Sequence, residues 1–250
     1  DLEVAGGHFE SAIGAHKQGN VSMAMDRYIR CFEALETHWG EINLWTSSQG
    51  ELALDREARD GISRLMSDIE LEARFERIEL SYAERYRSTV ACSARMDDLP
   101  LSNIPIIWRY NRGTLPKSDG SQTNAAGEVL IGLSQFEPGT RRSELKIELD
   151  LDHLAPLIEA SPARAFFTHL PVPSLSIPIE LSPPTIYFDT EEKALGKKRD
   201  QQLLRHSIAE GLSDQGVTWV QNRKDADLIL ELSADTRNAG SGSGFFTAKL

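Results

Sequence analysis

The chain has only two cysteines, Cys31 and Cys92, and they fall in segments of different periodicity. A disulfide between them is not expected, and no zinc-ligand spacing surrounds either one. Histidine is sparse as well. His8, His16, His38, His153, His169 and His206 form no paired metal spacing on one predicted element. His8 and His16 share a helical face but stand about two turns apart, too far for one ion. No apolar run approaches the roughly 20 residues of a membrane-spanning helix. Positive charge is in deficit, with 27 Lys+Arg against 38 Asp+Glu and a net charge of −11. Such a surface repels phosphate backbones, and the nearest basic run, Lys197-Lys198-Arg199, is short and opens a helical pattern. Nucleic acid is therefore not an expected partner. The glycine-rich stretch "GSGSGFF" has no lysine and no following helix, so it is read as a hairpin tip and not as a phosphate loop.

What remains is an ordinary globular composition, 40% hydrophobic and 26% charged, on a chain long enough for two or three domains. Residues 3–38 read as two helices around a turn at Gly19-Asn20. Phe9, Ala12 and Ile13 mark the buried side of the first; Met23, Ala24, Tyr28, Cys31, Phe32 and Leu35 mark that of the second. Ala12, Gly19, Ala24 and Tyr28 resemble one tetratricopeptide hairpin, with His8 and Ser11 in place of that family's Trp and Leu. Repeats of this kind bury a core only by stacking. A helix over 50–66, with Leu54, Ala58, Ile62, Leu65 and Met66 on one stripe, is the expected neighbour.

From Ile69 the period changes to two. Ile69, Leu71, Ala73 and Phe75 alternate with charged residues, and the phase then slips to Ile78 and Leu80, which predicts a bulge. Further strands follow around Val90–Met96, Ile104–Tyr110 and Val129–Leu133. In "ELKIELDLD", Leu145, Ile147, Leu149 and Leu151 oppose Lys146, Glu148, Asp150 and Asp152. Short strands at this spacing predict a β-sandwich. "IPIIWRYNRGTL" followed by "TNAAGEVLIGL", with Thr123, Asn124, Gly127 and Val129, resembles the bacterial immunoglobulin-like domains of surface proteins.

A proline-rich stretch, Pro171 to Pro184, reads as the last sandwich strand and a stiff linker. After it comes a strand at 185–189, a charged loop, a helix over 197–215 with Gly216 as its C-terminal cap, and strands at 217–221, 227–235 and from 245. Leu212, Gly216, Ala226, Asp227, Leu228 and Ile229 resemble the α+β domains of bacterial cell-envelope lipoproteins of the curli-secretion, flagellar-assembly and penicillin-binding-protein-activator type. Those domains mediate assembly and protein contacts. The expected fold is thus multidomain α+β: a helical bundle over 1–67, an Ig-like β-sandwich over 68–182, and an α+β domain over 183–250 whose sheet is incomplete.

Three carboxylate clusters are candidates for chemistry. Asp225 and Asp227 lie between two strand patterns, where aspartate serves turns. Asp150, Asp152 and His153 read as a solvated strand face. Asp189, Glu191 and Glu192 in "FDTEEK" are the best-placed acidic cluster, beyond a predicted strand end. No catalytic, cofactor or metal residues are assigned. The resemblances imply a non-enzymatic binding or assembly protein of the cell envelope, periplasmic or outer-membrane-associated, with a protein partner. A lipid anchor upstream is left open. The alternatives are a metal-dependent enzyme with an acidic site near Asp189 and Glu191, and a cytoplasmic scaffold whose hairpin grips a partner helix.

Overall fold

A computed structural model describes residues 2–39, 43–47, 50–112, 119–137, 139–156, 163–198, 203–214 and 217–236. The protein is multidomain α+β. It packs as two compact units: Asp1–Ile78, Thr89–Leu133 and Ser143–Ile179 form the first; Glu79–Ser88, Ser134–Arg142 and Glu180–Leu250 form the second.

The first unit opens with helices α1 (Leu2–Lys17) and α2 (Val21–Ala34). Two bonds of a Schellman motif end α1: the Gly19 N–H donates to the His16 carbonyl at 2.9 Å, and the Asn20 N–H to the Ala15 carbonyl at 2.9 Å. Gly19 takes the left-handed conformation this motif requires, at φ +70°. Asn20 then caps α2, its Oδ1 accepting from the Met23 N–H at 3.2 Å. One asparagine thus closes one helix and starts the next. Phe9, Ala12, Ala24 and Tyr28 are all buried along the seam. A hairpin that the period did not reveal, β1 (Leu44–Ser47) with β2 (Gly50–Ala53), precedes α3 (Leu54–Ser67). The helix expected from residue 50 therefore begins at Leu54, and the stripe Leu54, Ala58, Ile62, Leu65 and Met66 is buried as expected.

Two sheets follow. The strands are β3 (Glu70–Ala73), β4 (Ile78–Leu80), β5 (Ser88–Met96), β6 (Leu99–Pro100), β7 (Pro105–Arg109), β8 (Asp119–Gln122), β9 (Glu128–Leu133) and β10 (Arg142–Leu149). Short helices α4 (Leu151–Leu154) and α5 (Arg164–Thr168) lead to β11 (Ser174–Leu181). One sheet has the order β4-β11-β10-β7-β8; in the other, β3, β6 and β9 all pair with β5. Each sheet has one apolar face, for example Val90, Cys92, Ala94 and Met96 on β5 and Leu145, Ile147 and Leu149 on β10. Two half-apolar sheets sharing a unit bury those faces as a sandwich does.

Two expectations are corrected here. The phase slip between Ala73 and Ile78 is not a bulge: β3 and β4 are separate strands in different sheets, and the slip is the crossing from one to the other. The strand expected to run through Leu151 stops at Leu149. Asp150 leaves the strand and caps α4, its Oδ1 accepting from the His153 N–H at 3.2 Å.

In the second unit β12 (Thr185–Ala194) is the organising strand. A two-residue turn at Leu195 and Gly196, both left-handed at φ +53° and +76°, returns the chain into β13 (Lys197–Lys198). Helix α6 (Leu203–Asp214) packs over β12 and leads to β14 (Thr218–Trp219) and then β15 (Leu228–Thr236). Both of these run parallel to β12. The helix expected from residue 197 is thus preceded by a strand, and the loop expected at 190–194 is the second half of β12. Gly216 and the strand expected from 245 lie outside the described residues.

Candidate functional site

The residues singled out as signatures serve three local structures. In the hairpin, Gly19 and Tyr28 also line a cavity. In the sandwich, Thr123 is 2% exposed. Its hydroxyl donates to the Leu101 carbonyl at 2.6 Å and accepts from the Ile104 N–H at 2.9 Å. A buried hydroxyl satisfied in both roles stabilises the loop it bridges. Asn124 Oδ1 accepts from the Ala126 and Glu128 N–H groups at 2.8 and 3.0 Å. Gly127, at φ +75°, closes that turn with its α-carbon against the Ala94 carbonyl; a methyl there would stand 2.8 Å from the carbonyl oxygen.

In the second unit Asp227 ties the starts of two parallel strands together. The Thr185 N–H donates to Asp227 Oδ2 at 2.8 Å, and the Asp227 N–H donates to Thr185 Oγ1 at 2.9 Å. Asp225 ends a 3₁₀ turn over Arg223–Asp225, and Ala226 beside it is half-buried. This is the turn geometry that a short carboxylate next to a strand supplies.

Two cavities gather polar side chains beside apolar walls. The one in the second unit, about 430 Å³, is lined by Tyr187, Asp189, Thr190, Arg205, Trp219 and Gln221 among others. Phe188 and Trp219 stack at 5.4 Å with their planes 21° apart, and the Arg205 guanidinium lies 5.9 Å from the Phe188 ring centre. Trp219 is held by its Nε1–H, which donates to Ser213 Oγ at 2.7 Å. The acidic cluster does not converge there. Glu191 pairs with Lys193 at 3.0 Å. Glu192, 5% exposed, accepts from the Arg205 N–H at 2.9 Å, so it occupies the start of α6 as an anion at a helix N-terminus does. Asp189 alone of the three faces the cavity. Among the described residues no group of three or more metal-ligating side chains is assembled.

The cavity in the first unit, about 410 Å³, is bounded by the ends of α1 and α3 and by the turn from β5 into β6. His16 Nε2 and Asp68 Oδ2 are 2.9 Å apart across its mouth. Lys17, Tyr28, Arg64 and Asp97 contribute the other polar groups, and Ile13, Met96 and Leu99 the apolar wall. Periodicity places Tyr28 in the core but says nothing of its hydroxyl, because that depends on α3 meeting the hairpin at Gly61.

Neither a family model nor a curated protein matches the chain. Among solved structures it is similar to the D0-D1 domain of intimin, at 17% identity and a TM-score of 0.24. The match covers 32% of this chain and 39% of that one, less than half of either. A likeness of that extent transfers neither fold nor activity. No helix among the described residues is long and apolar enough to cross a membrane.

Proposed function

We propose that the chain is a non-catalytic binding or assembly protein of the bacterial cell envelope, periplasmic or outer-membrane-associated, that works through protein–protein contacts. The observation that supports this reading is the apolar face of the second unit's sheet. Ile186 and Phe188 on β12 are buried, with α6 packed over that strand. In parallel register, Leu228 stands beside Ile186, Leu230 beside Phe188 and Leu232 beside Thr190. The leucine column of β15 therefore continues the same face. It is not closed among the described residues: Leu228 is 36% exposed, and Leu230 and Leu232 are half-buried. A sheet face is stable when another element covers it, and about 25 cal/mol per Å² of apolar surface is gained when one does. The resemblance of this segment to envelope-lipoprotein α+β domains supports the compartment and the assembly role.

The test is in the native organism. A photo-crosslinking amino acid placed at Leu228 of the full-length protein is expected to give a discrete adduct with another protein in the envelope fraction. Recovery of the protein in the cytoplasmic fraction, or crosslinks that stay within its own chain, would overturn the proposal.

A further inference from the structure

The cavity of the first unit brings a phenol and a guanidinium to one wall. Tyr28 is 1% exposed, its ring set between Phe9 and the helix carrying Gly61. Among the described residues its hydroxyl has no hydrogen-bond partner, and Tyr28 lines the cavity wall. The ring tip rests on α3 where a methyl at Gly61 would stand 2.6 Å from the hydroxyl, and Arg64 follows one turn on. The donor therefore stands next to a guanidinium.

The charges around it have an order. His16 and Asp68 answer each other at 2.9 Å. Arg64 spends its Nε–H on the Asp60 carbonyl at 3.2 Å, and among the described residues its terminal nitrogens form no ion pair. Lys17 on the opposite rim forms none among them either. Both cations sit in the last turns of their helices, where the dipole favours them, but that gives no role to the Tyr28 hydroxyl. A carboxylate does. It would accept from the phenol and from Arg64 together, with Ile13, Met96 and Leu99 beside its body. A dianion is disfavoured by Asp68 and Asp97 on the same rim.

We propose that the cavity enclosed by the ends of α1 and α3 and the β5–β6 turn is a binding site for a small monocarboxylate with an apolar body, held by Tyr28 and Arg64. This stands apart from the contacts proposed for the second unit. The probe is sodium butyrate added to the full chain, followed by NMR at the backbone amide signals of Lys17, Asp97 and Leu99 on the cavity wall. A saturable shift is expected, weakened about tenfold or more in Tyr28→Phe and in Arg64→Gln, the loss usual for a hydrogen bond to a charged group. Lys146→Gln, elsewhere on the same unit, should leave it unchanged. Tyr28→Phe removes no bond among the described residues, and Arg64 is exposed, so both variants should keep the wild-type far-UV spectrum. No saturable shift, unchanged affinity in either variant, or tighter binding of inorganic phosphate or butylammonium than of butyrate would overturn the assignment.

Discussion

Replacing Gly61 by alanine should destabilise the first unit, against the usual direction for a helical glycine. Alanine in place of glycine inside a helix normally gains about 1 kcal/mol. Here the new methyl would lie 2.6 Å from Tyr28 Cζ and Oη and 2.7 Å from Cε1. Carbon atoms pack comfortably at about 3.5–4.0 Å, so ring and helix must separate by roughly 1 Å. The ring has no room on its inner side, where it is buried with the Phe9 ring 6.2 Å behind it. Overpacking of this kind costs about 1–3 kcal/mol; set against the propensity gain, the net is a loss of up to about 2 kcal/mol. For a unit of this size that lowers Tm by about 2–4 °C per kcal/mol. Differential scanning calorimetry on the full chain reads it, with Gly7→Ala as the control. Gly7 lies in α1 with open space around it, so its replacement should raise Tm. If Gly61→Ala raises Tm as Gly7→Ala does, Tyr28 does not rest on Gly61, and the cavity geometry built on that contact fails.

Asp227→Ala removes the acceptor that ties Thr185 to β15. It should cost the second unit about 1–2 kcal/mol, seen as a lower urea midpoint, and Asp227→Asn should recover part of the loss. Gly127→Ala meets the Ala94 carbonyl at 2.8 Å and a left-handed backbone together; a loss of more than about 1 kcal/mol is expected in the same assay. Burial pushes the thiols up, to about 12 for Cys31, where Asp55 adds to the effect, and to about 11 for Cys92. Neither should react with a thiol reagent at pH 8 until the chain unfolds, as a colorimetric titration with and without guanidinium will show. Because the unfolded thiols lose their protons first, from about pH 8.5, their contribution to stability is full below that pH. It should fall as pH rises through the folded values, which pH-dependent urea titrations follow.

Legibility in the sequence varied with how local the cause was. The hairpin turn could be read because Gly19 and Asn20 act on their immediate neighbours, ending α1 and capping α2. The sandwich strands could be read because alternation at Val90–Met96 or Leu145–Leu149 reports burial directly. The crossing from β3 to β4 could not, since a bulge and a change of sheet shift the side-chain phase alike. Asp150 continued the alternation of β10 and was hidden as a cap for the same reason. "FDTEEK" suggested a loop because its charges outweigh its β-propensity; pairing with β15 along its whole length holds it as a strand. The monocarboxylate cavity had no sequence signal beyond Gly19 and Tyr28. Its other members come from helix ends and a strand turn brought together only by the fold.

The protein-contact reading is tested most directly by the crosslinker scanned along β15 in living cells, at Leu228, Leu230 and Glu231. Leu228 and Leu230 share the open apolar face, and Glu231, paired with Arg223 at 3.2 Å, points to the other. The reading predicts adducts to the same envelope protein from both leucines and none from position 231. Equal labelling from all three positions, or none from the leucines, would contradict it.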